Sequence, residues 1–200
     1  GSIVIQDYND LATGTNGLNI NVPATNYSVT GGTIEIDIST LDTDFEITFS
    51  PNFYNLTITN DNGQSVSSDQ DLIVNNDFVL ATGTEFTLVA ENDLTVGRNF
   101  NISTGSTYTQ GGNNTTSFNG EADQTITLAG TYGAFYDLVV SGSGVKTLNT
   151  GNATITNSLT IGSGATFDDG GQTIVVQGSM TNSGTHQSTG TGTIEFSGGG

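Results

Sequence analysis

Short apolar clusters recur along this chain, and polar residues separate them. Within a cluster, apolar and polar positions alternate, as in Leu56-Thr57-Ile58, Leu94-Thr95-Val96 and Leu159-Thr160-Ile161. A period of two predicts β-strands with one buried face. The Gly, Asn, Asp and Ser residues between clusters favour tight turns. No apolar stripe has helical spacing, so the pattern predicts essentially no helix.

Two all-β architectures fit short strands of this kind. A β-sandwich pairs antiparallel strands across two sheets, whereas a solenoid stacks the short strands of successive coils. The turns are too short for the crossing connections of a sandwich, and the same pattern continues along the whole chain. We therefore predict an all-β, right-handed parallel β-helix (β-solenoid) with short strands and coils of about 20 residues.

A longer repeat of about 80 residues overlies the strand pattern. The phrase FYNL at 53–56 returns as FYDL at 135–138, and on this alignment Ile36 is equivalent to Phe118 and Phe196. We also expect the chain to be a segment of a longer protein. The predicted divisions are leader coils of the same solenoid at 1–32, long repeats at 33–114 and 115–191, and the start of a third repeat at 192–200.

The charge of the chain is strongly negative. Twenty acidic residues face only two basic ones, which gives a formal net charge of -18 and a pI of about 4.1. Such a surface repels phosphate backbones and anionic lipids, so nucleic acid is excluded as a partner. No apolar run reaches the roughly 20 residues that span a bilayer, so we expect no membrane insertion. The absence of cysteine excludes disulfides and thiolate metal sites.

Few residues offer enzyme chemistry. Asp168-Asp169, in DDGG, is the only adjacent acidic pair and occupies a predicted turn. Arg98 and Lys146 have no basic neighbour, so each is assigned a structural or solvated role. His186 is the only histidine and is predicted to lie in a surface turn. We predict no enzymatic activity, no catalytic or cofactor-binding residues and no metal site.

Calcium is the one cofactor that the acidic turns keep open as an alternative. Carboxylate oxygens on tight turns suit this hard cation, but neither the EF-hand spacing nor the glycine-rich nonapeptide repeat is present. A patch of tyrosines could likewise stack on sugars, although packing is the simpler role for Tyr54, Tyr108, Tyr132 and Tyr136. The acidic turns are at 60–63, 67–71, 75–77, 91–93 and 168–171.

Several phrases together resemble the repeats of large surface or secreted proteins of Bacteroidetes. The matching positions are Phe118-Asn119-Gly120, Gln124-Thr125-Ile126 and Phe135-Tyr136-Asp137-Leu138, and the likeness covers about residues 30–200. The first copy, at 34–50, lacks the Asn-Gly and the Gln. The resemblance implies a long, filamentous, adhesin-like protein exported by the type IX route.

We therefore expect a non-enzymatic structural segment of an extracellular filament or adhesin stalk. It would act as a stiff spacer outside the cell, at the bacterial surface, and associate with itself or with neighbouring repeats of the same long protein. The alternative is an adhesive module that binds surface glycans or Ca²⁺ along one face of the solenoid. An enzyme built on a β-helix is the third class, and it would need a cleft with convergent carboxylates.

Overall fold

The computed structural model describes residues 1–6, 16–20, 30–38, 44–49, 52–60 and 63–198 of the 200-residue chain. These residues form strands and turns, with no helix among them. In chain order the strands are β1 (Ser2–Gln6), β2 (Asn16–Ile20), β3 (Thr33–Asp37), β4 (Phe45–Phe49), β5 (Asn55–Thr59), β6 (Ser65–Ser68), β7 (Leu72–Val74), β8 (Phe78–Leu80), β9 (Glu85–Leu88), β10 (Leu94–Val96), β11 (Phe100–Ile102), β12 (Thr107–Gln110), β13 (Thr115–Phe118), β14 (Gln124–Leu128), β15 (Thr131–Tyr132), β16 (Phe135–Val140), β17 (Val145–Thr150), β18 (Ala153–Ile161), β19 (Thr166–Asp168), β20 (Thr173–Val176), β21 (Ser179–Asn182), β22 (Thr185–Gln187) and β23 (Thr193–Phe196).

The strands stack into three parallel sheets that form the walls of a solenoid. A nine-stranded sheet has the order β1-β3-β5-β8-β11-β14-β17-β19-β22. An eight-stranded sheet runs β7-β10-β13-β16-β18-β20-β23, with β21 also paired to β18, and a six-stranded sheet runs β2-β4-β6-β9-β12-β15. Each strand pairs with a strand of a later or earlier coil, never with its neighbour in sequence. The predicted all-β, parallel β-solenoid is confirmed, and the sandwich alternative is wrong.

The register between strands gives the length of a coil. Leu72, Leu94, Thr116 and Leu138 occupy successive rungs of one inward column in the eight-stranded sheet. The same step joins Asp93 N to Asp71 Oδ1, 22 residues earlier. The next step of the sheet, from Asp137 to Ser158, spans 21 residues. The coil is therefore slightly longer than predicted, because each of its three corners needs several polar residues to turn the chain.

Alternating burial fills the interior of the stack. In β5, β8 and β11, two apolar residues separated by one position point inward and are fully buried, while the residue between them is partly exposed. Phe78 pairs in register with Leu56 on one side and with Phe100 on the other, so like residues lie over like. The result is one continuous core that includes both aromatic and aliphatic columns.

The longest strand, β18, pairs along its two halves with two different strands of the next coil. β18 pairs through Ala153–Ile155 with β20 and through 158–161 with β21. Beside it the six-stranded sheet ends at β15, where Tyr132 Oη donates to the carbonyl of Asn152 and accepts a hydrogen bond from Thr154 N at 2.7 Å. The wall of the six-stranded sheet is thus continued by the first half of β18.

The repeated Phe-Tyr phrase leads to two different walls. Phe53 and Phe135 are both buried. Phe53 bridges to Val74 of the eight-stranded sheet, and Phe135 is the first residue of β16 in that sheet. After Phe53 the chain turns at once, so that Leu56 lies in the nine-stranded sheet, whereas Leu138 stays in the eight-stranded sheet. Ile36 likewise lies in the nine-stranded sheet and Phe118 in the eight-stranded one, so their predicted equivalence is wrong at the level of sheets. The structural unit that repeats is the coil, and the long-repeat boundaries stay a prediction.

Candidate functional site

Aspartate and asparagine side chains hold each coil to the next one at the corners. Each such residue lies at or just before the first residue of a strand, and its Oδ1 accepts a backbone N–H from the following coil at 2.7 to 3.1 Å. We call these acceptors the capping residues. Acceptor and donor pairs are Asp44 and Ser65, Asn55 and Asp77, Asp71 and Asp93, Asp77 and Asn99, Asp93 and Thr115, Asn99 and Thr125, Asp123 and Val145, and Asn152 and Thr173.

The capping residues account for part of the acidic excess, because five of the eight are aspartates. A corner N–H that no carbonyl reaches needs an acceptor, and a side-chain oxygen of the preceding coil supplies it and ties the two coils together. Carboxylate and amide oxygens can accept this bond, whereas lysine and arginine side chains only donate. Aspartate and asparagine oxygens at the corners are thus part of how the coils are joined.

Three of the five acidic turns named for calcium are used in the same way. Asp71, Asp77 and Asp93 each accept a backbone N–H from the next coil. Residues 61 and 62 of the turn at 60–63 lie outside the described residues. Among the residues that the structure describes, no group of three or more His, Cys, Asp or Glu side chains converges on one point.

Two carboxyl groups meet on the wall of the six-stranded sheet. Glu46 and Asp69 share a hydrogen bond, which together with their mutual repulsion raises the pKa of Glu46 above its usual value. Thr48 Oγ1 lies 3.4 Å from Asp69 Oδ1 and donates to it. The three side chains form a small acidic surface, open to solvent on the side of Asp69.

The two basic residues have different surroundings. Arg98 is exposed at a corner, with its guanidinium 3.6 Å from Asp77 Oδ2. Lys146 is fully buried, and its Nζ donates to the carbonyl oxygens of Gly120, at 2.7 Å, and of Ser143. Burial lowers the pKa of Lys146, and the nearby Glu121 partly opposes that effect. The structural role foreseen for Lys146 is therefore that of an internal cap for corner carbonyls.

A signal in the sequence could have placed Lys146 inside. It lies two positions before buried Leu148 in the same strand, so the period of two puts both on the inner face. Gln124 stands in the same relation to Ile126, and its Nε2 donates to the carbonyls of Val96 at 3.0 Å and Arg98 at 2.6 Å. Both polar residues occupy inward positions at which apolar residues were expected.

The DDGG segment does form a turn, but both of its aspartates are buried. Burial alone would raise the pKa of Asp168, but hydrogen bonds from Thr189, Gly170 and Gln187 outweigh it and hold that pKa below its usual value. Asp169 Oδ1 accepts Gly171 N at 2.9 Å, and Asp169 Oδ2 lies 3.3 Å from His186 Nε2.

His186 is not in a surface turn, so that prediction is wrong. It is the middle residue of β22, half-buried, and pairs in register with Phe167. Its neighbours in sequence are polar, so no apolar alternation marked this strand. The closeness of His186 to Asp169 comes from the stacking of coils and could not be read from their positions along the sequence.

The four tyrosines considered for sugar stacking, all within the described residues, do not form a row on one face. Tyr108 is buried in the core, parallel to Phe86 with ring centroids 5.9 Å apart. Tyr54 borders a groove of about 110 Å³ together with Ile3 and Asn55. Packing, which the sequence favoured as the simpler role, is the role of Tyr108.

A second groove lies where the eight-stranded sheet turns toward the nine-stranded one. Its volume is about 240 Å³, and it is lined by Ile73, Val74, Asn75, Thr95, Gly97, Asn119, Gly120 and Glu121. Ile73 is 40% exposed, one of few large apolar side chains that are open to solvent among the described residues. Amide, hydroxyl and apolar groups therefore meet in one concave surface.

Comparison with protein families, with curated proteins and with solved structures finds no match to this chain. Within the described part of the chain, no helix has the length and apolar character needed to cross a membrane.

Proposed function

We propose that this chain is a non-enzymatic structural segment of an extracellular filament or adhesin stalk, in which it acts as a stiff spacer. The observation that carries the proposal is the parallel stack around one continuous hydrophobic core. Such a stack sets a distance without needing an active site. Nine strands in one sheet, with spacings of about 4.8 Å, give a length of about 38 Å for the described part.

The distribution of acidic groups supports a structural role over an enzymatic one. The capping residues direct a carboxylate or amide oxygen at the backbone of the next coil, for example Asp93 at Thr115 N at 2.7 Å. Asp168, in the only adjacent acidic pair, accepts four hydrogen bonds, from Gly170 N, Gln187 Nε2, Thr189 N and Thr189 Oγ1. Acid and base catalysis needs carboxyl groups directed at a substrate, and these are directed at the chain itself.

Single-molecule pulling between the two chain ends tests the spacer. A coil of 22 residues releases about 75 Å of contour when it unwinds, and nearest-neighbour stacking predicts that coils detach singly or in small groups. We expect extension in steps that are multiples of this length. Smooth extension at the force that stretches an unfolded chain would contradict a mechanical role.

An extracellular location is proposed because the phrases of the chain resemble surface proteins and its charge suits a solvated exterior. Antibodies against the folded chain should label intact cells of its source, and external protease should remove that label. Labelling that requires permeabilised cells would count against this location.

A second copy of the chain is the first partner we propose. Ile3, Val4 and Phe196 are 63%, 48% and 66% exposed and lie on β1 and β23, the outermost described strands of their sheets, and such strands can pair with a neighbouring repeat or with a second copy. Because all the described strand pairs are parallel, an added copy or repeat would continue the stack head to tail. Sedimentation should show concentration-dependent association that Ile3→Asp weakens, while a monomer at all concentrations would oppose it.

The groove at Ile73 supports the second candidate function, a module that binds neutral glycans. Amides of Asn75 and Asn119 can hydrogen-bond sugar hydroxyls, and Ile73 can cover an apolar sugar face. The charge of the chain disfavours uronates and other anionic sugars. A glycan array with the chain, alongside Asn119→Ala, tests this function: binding lost in the variant favours it, and an array without signal removes it.

A further inference from the structure

An ion pair lies inside the solenoid, close to the end of the described chain. Asp169 Oδ2 and His186 Nε2 face each other at 3.3 Å. Both atoms are shielded from solvent, and neither makes a hydrogen bond. Asp169 is fully buried, whereas the side chain of His186 is 24% exposed, so part of the imidazole ring meets solvent.

The charge of the imidazole decides whether this contact stabilises the fold. Because no hydrogen bond joins the two atoms, the attraction between them is that of opposite charges. A protonated imidazole compensates the buried carboxylate of Asp169, whereas a neutral imidazole leaves that carboxylate uncompensated, which is costly in the interior. Histidine changes charge between about pH 5 and 8. The contact is therefore favourable on the acid side of this range and is lost as the pH rises through it.

The other charged groups near the pair are directed elsewhere. Asp168 opposes Gln187 in register, and its Oδ2 accepts a hydrogen bond from Gln187 Nε2 at 3.0 Å. Lys146 lies one coil below β19, and Phe167 separates it in register from His186. On β22 itself the neighbours of His186 carry no charge. Asp169 is therefore the carboxylate that responds to the charge of His186.

The pair joins two successive coils. Asp169 follows β19, and His186 belongs to β22 in the next coil. Two backbone bonds link the same coils, from Asp169 N to the carbonyl of Gln187 at 3.1 Å and from Thr185 N to the carbonyl of Ala165 at 2.9 Å. β22 is the last described strand of the nine-stranded sheet, so its described contacts within that sheet are with the coil below.

We propose that Asp169 and His186 form a pH-sensitive clasp. With His186 protonated, the clasp holds residues 185–196 on the coil below, and with His186 neutral these residues loosen. The segment includes β23, an outermost strand that can pair with a further repeat or a second copy. Mildly acidic solution should therefore order this end of the stack. The clasp is independent of the spacer role.

Hydrogen exchange in the whole chain tests the clasp at two backbone amides. Thr185 N and Thr193 N donate to carbonyls of earlier coils, so their protection reports whether this segment stays docked. Protection factors are compared because they correct for the effect of pH on exchange from the unfolded chain. We expect protection at both amides to fall at least about fivefold between about pH 5.5 and about pH 8. In His186→Gln and in Asp169→Asn the fall should be less than about twofold.

Glu195→Gln is the matched control, because it removes a charge from the same segment without altering the pair. Glu195 is exposed and lies opposite Val175 in the eight-stranded sheet, so this variant should keep the pH dependence of the unaltered chain. Circular dichroism checks that each variant folds. The proposal is overturned if protection in the unaltered chain does not change or rises toward pH 8, or if either the His186 or the Asp169 variant shows the same fall.

Discussion

Phe78 lies parallel to Phe100 in the core, with ring centroids 5.4 Å apart and planes 10° from parallel. The two residues are adjacent rungs of one column, paired in register between β8 and β11. Phe100 also meets Tyr108 and Phe118 edge to face at 5.5 Å. Stacking of equivalent residues therefore places aromatic contacts both along the column and across the core.

Truncating Phe100 should strongly destabilise the solenoid. Phe100→Ala removes a fully buried ring, and we expect a loss of about 3–5 kcal/mol in the free energy of unfolding. Chemical denaturation followed by circular dichroism measures it. Phe196→Ala is the control because Phe196 is 66% exposed, and it should change stability by no more than about 0.5 kcal/mol. Equal losses in both variants would contradict the assigned core.

The capping residues predict a difference between two substitutions at one position. Asp93 Oδ1 accepts Thr115 N at 2.7 Å, so Asp93→Ala leaves that N–H without its acceptor. We expect a loss of about 1 kcal/mol. Asp93→Asn keeps an acceptor oxygen and should retain most of the stability. If denaturation shows Asn as damaging as Ala, charge and not hydrogen bonding is what the position requires.

Burial of Tyr108 predicts alkaline destabilisation. Its pKa is raised from 10.0 to about 12, chiefly by desolvation. Between these values the unfolded chain loses the phenol proton while the folded chain keeps it, so stability present below pH 10 is lost as the pH rises toward 12. A pKa that is higher by about two in the folded chain corresponds to about 3 kcal/mol in the free energy of unfolding.

Tyr108→Phe is the test of that linkage, with stability measured in both chains as the pH rises from below 10 to 12. The variant should show a shallower decline, although Tyr132, whose pKa is also raised by burial, will contribute a remainder. Parallel curves for the two chains would mean that Tyr108 does not carry the effect.

Two glycines should respond differently to alanine. A Cβ on Gly97 would lie 2.2 Å from the carbonyl oxygen of Asn75 in the coil below, so Gly97→Ala must push the coils apart. A Cβ on Gly133 would meet nothing within 4 Å. We expect a clear fall in melting temperature for Gly97→Ala and little change for Gly133→Ala. Calorimetry measures both, and a tolerant Gly97 would argue against the close approach of these coils.

The sequence predicted the inward positions because alternation of period two is local. Leu94 and Val96 flank Thr95, and the structure buries the first two. Walls are harder to predict because a corner has no fixed length. In the nine-stranded sheet, the hydrogen bond from Thr125 N to Asn99 Oδ1 spans 26 residues. The corresponding bond of the next coil, from Val145 N to Asp123 Oδ1, spans 22 residues. A few extra residues at one corner move a later segment into a different sheet. Leu138 of FYDL therefore lies in the eight-stranded sheet, whereas Leu56 of FYNL lies in the nine-stranded sheet.

The contact between Asp169 and His186 could not be predicted for a related reason. Asp169 belongs to a turn and His186 to a strand without apolar neighbours, so neither signals burial. Only the register of β19 against β22 brings them together. The capping residues were visible as Asp and Asn before apolar clusters, but their bonding partners lie one coil later and required the stack.

The capping bonds all point the same way along the chain. Asp71 accepts from Asp93, and Asp93 accepts from Thr115, so the acceptor always precedes its donor in sequence. A finished coil thus presents a ready template before its successor exists. Polypeptide that emerges N-terminus first from a ribosome or an export channel therefore meets ready acceptors for the N–H groups of each new corner.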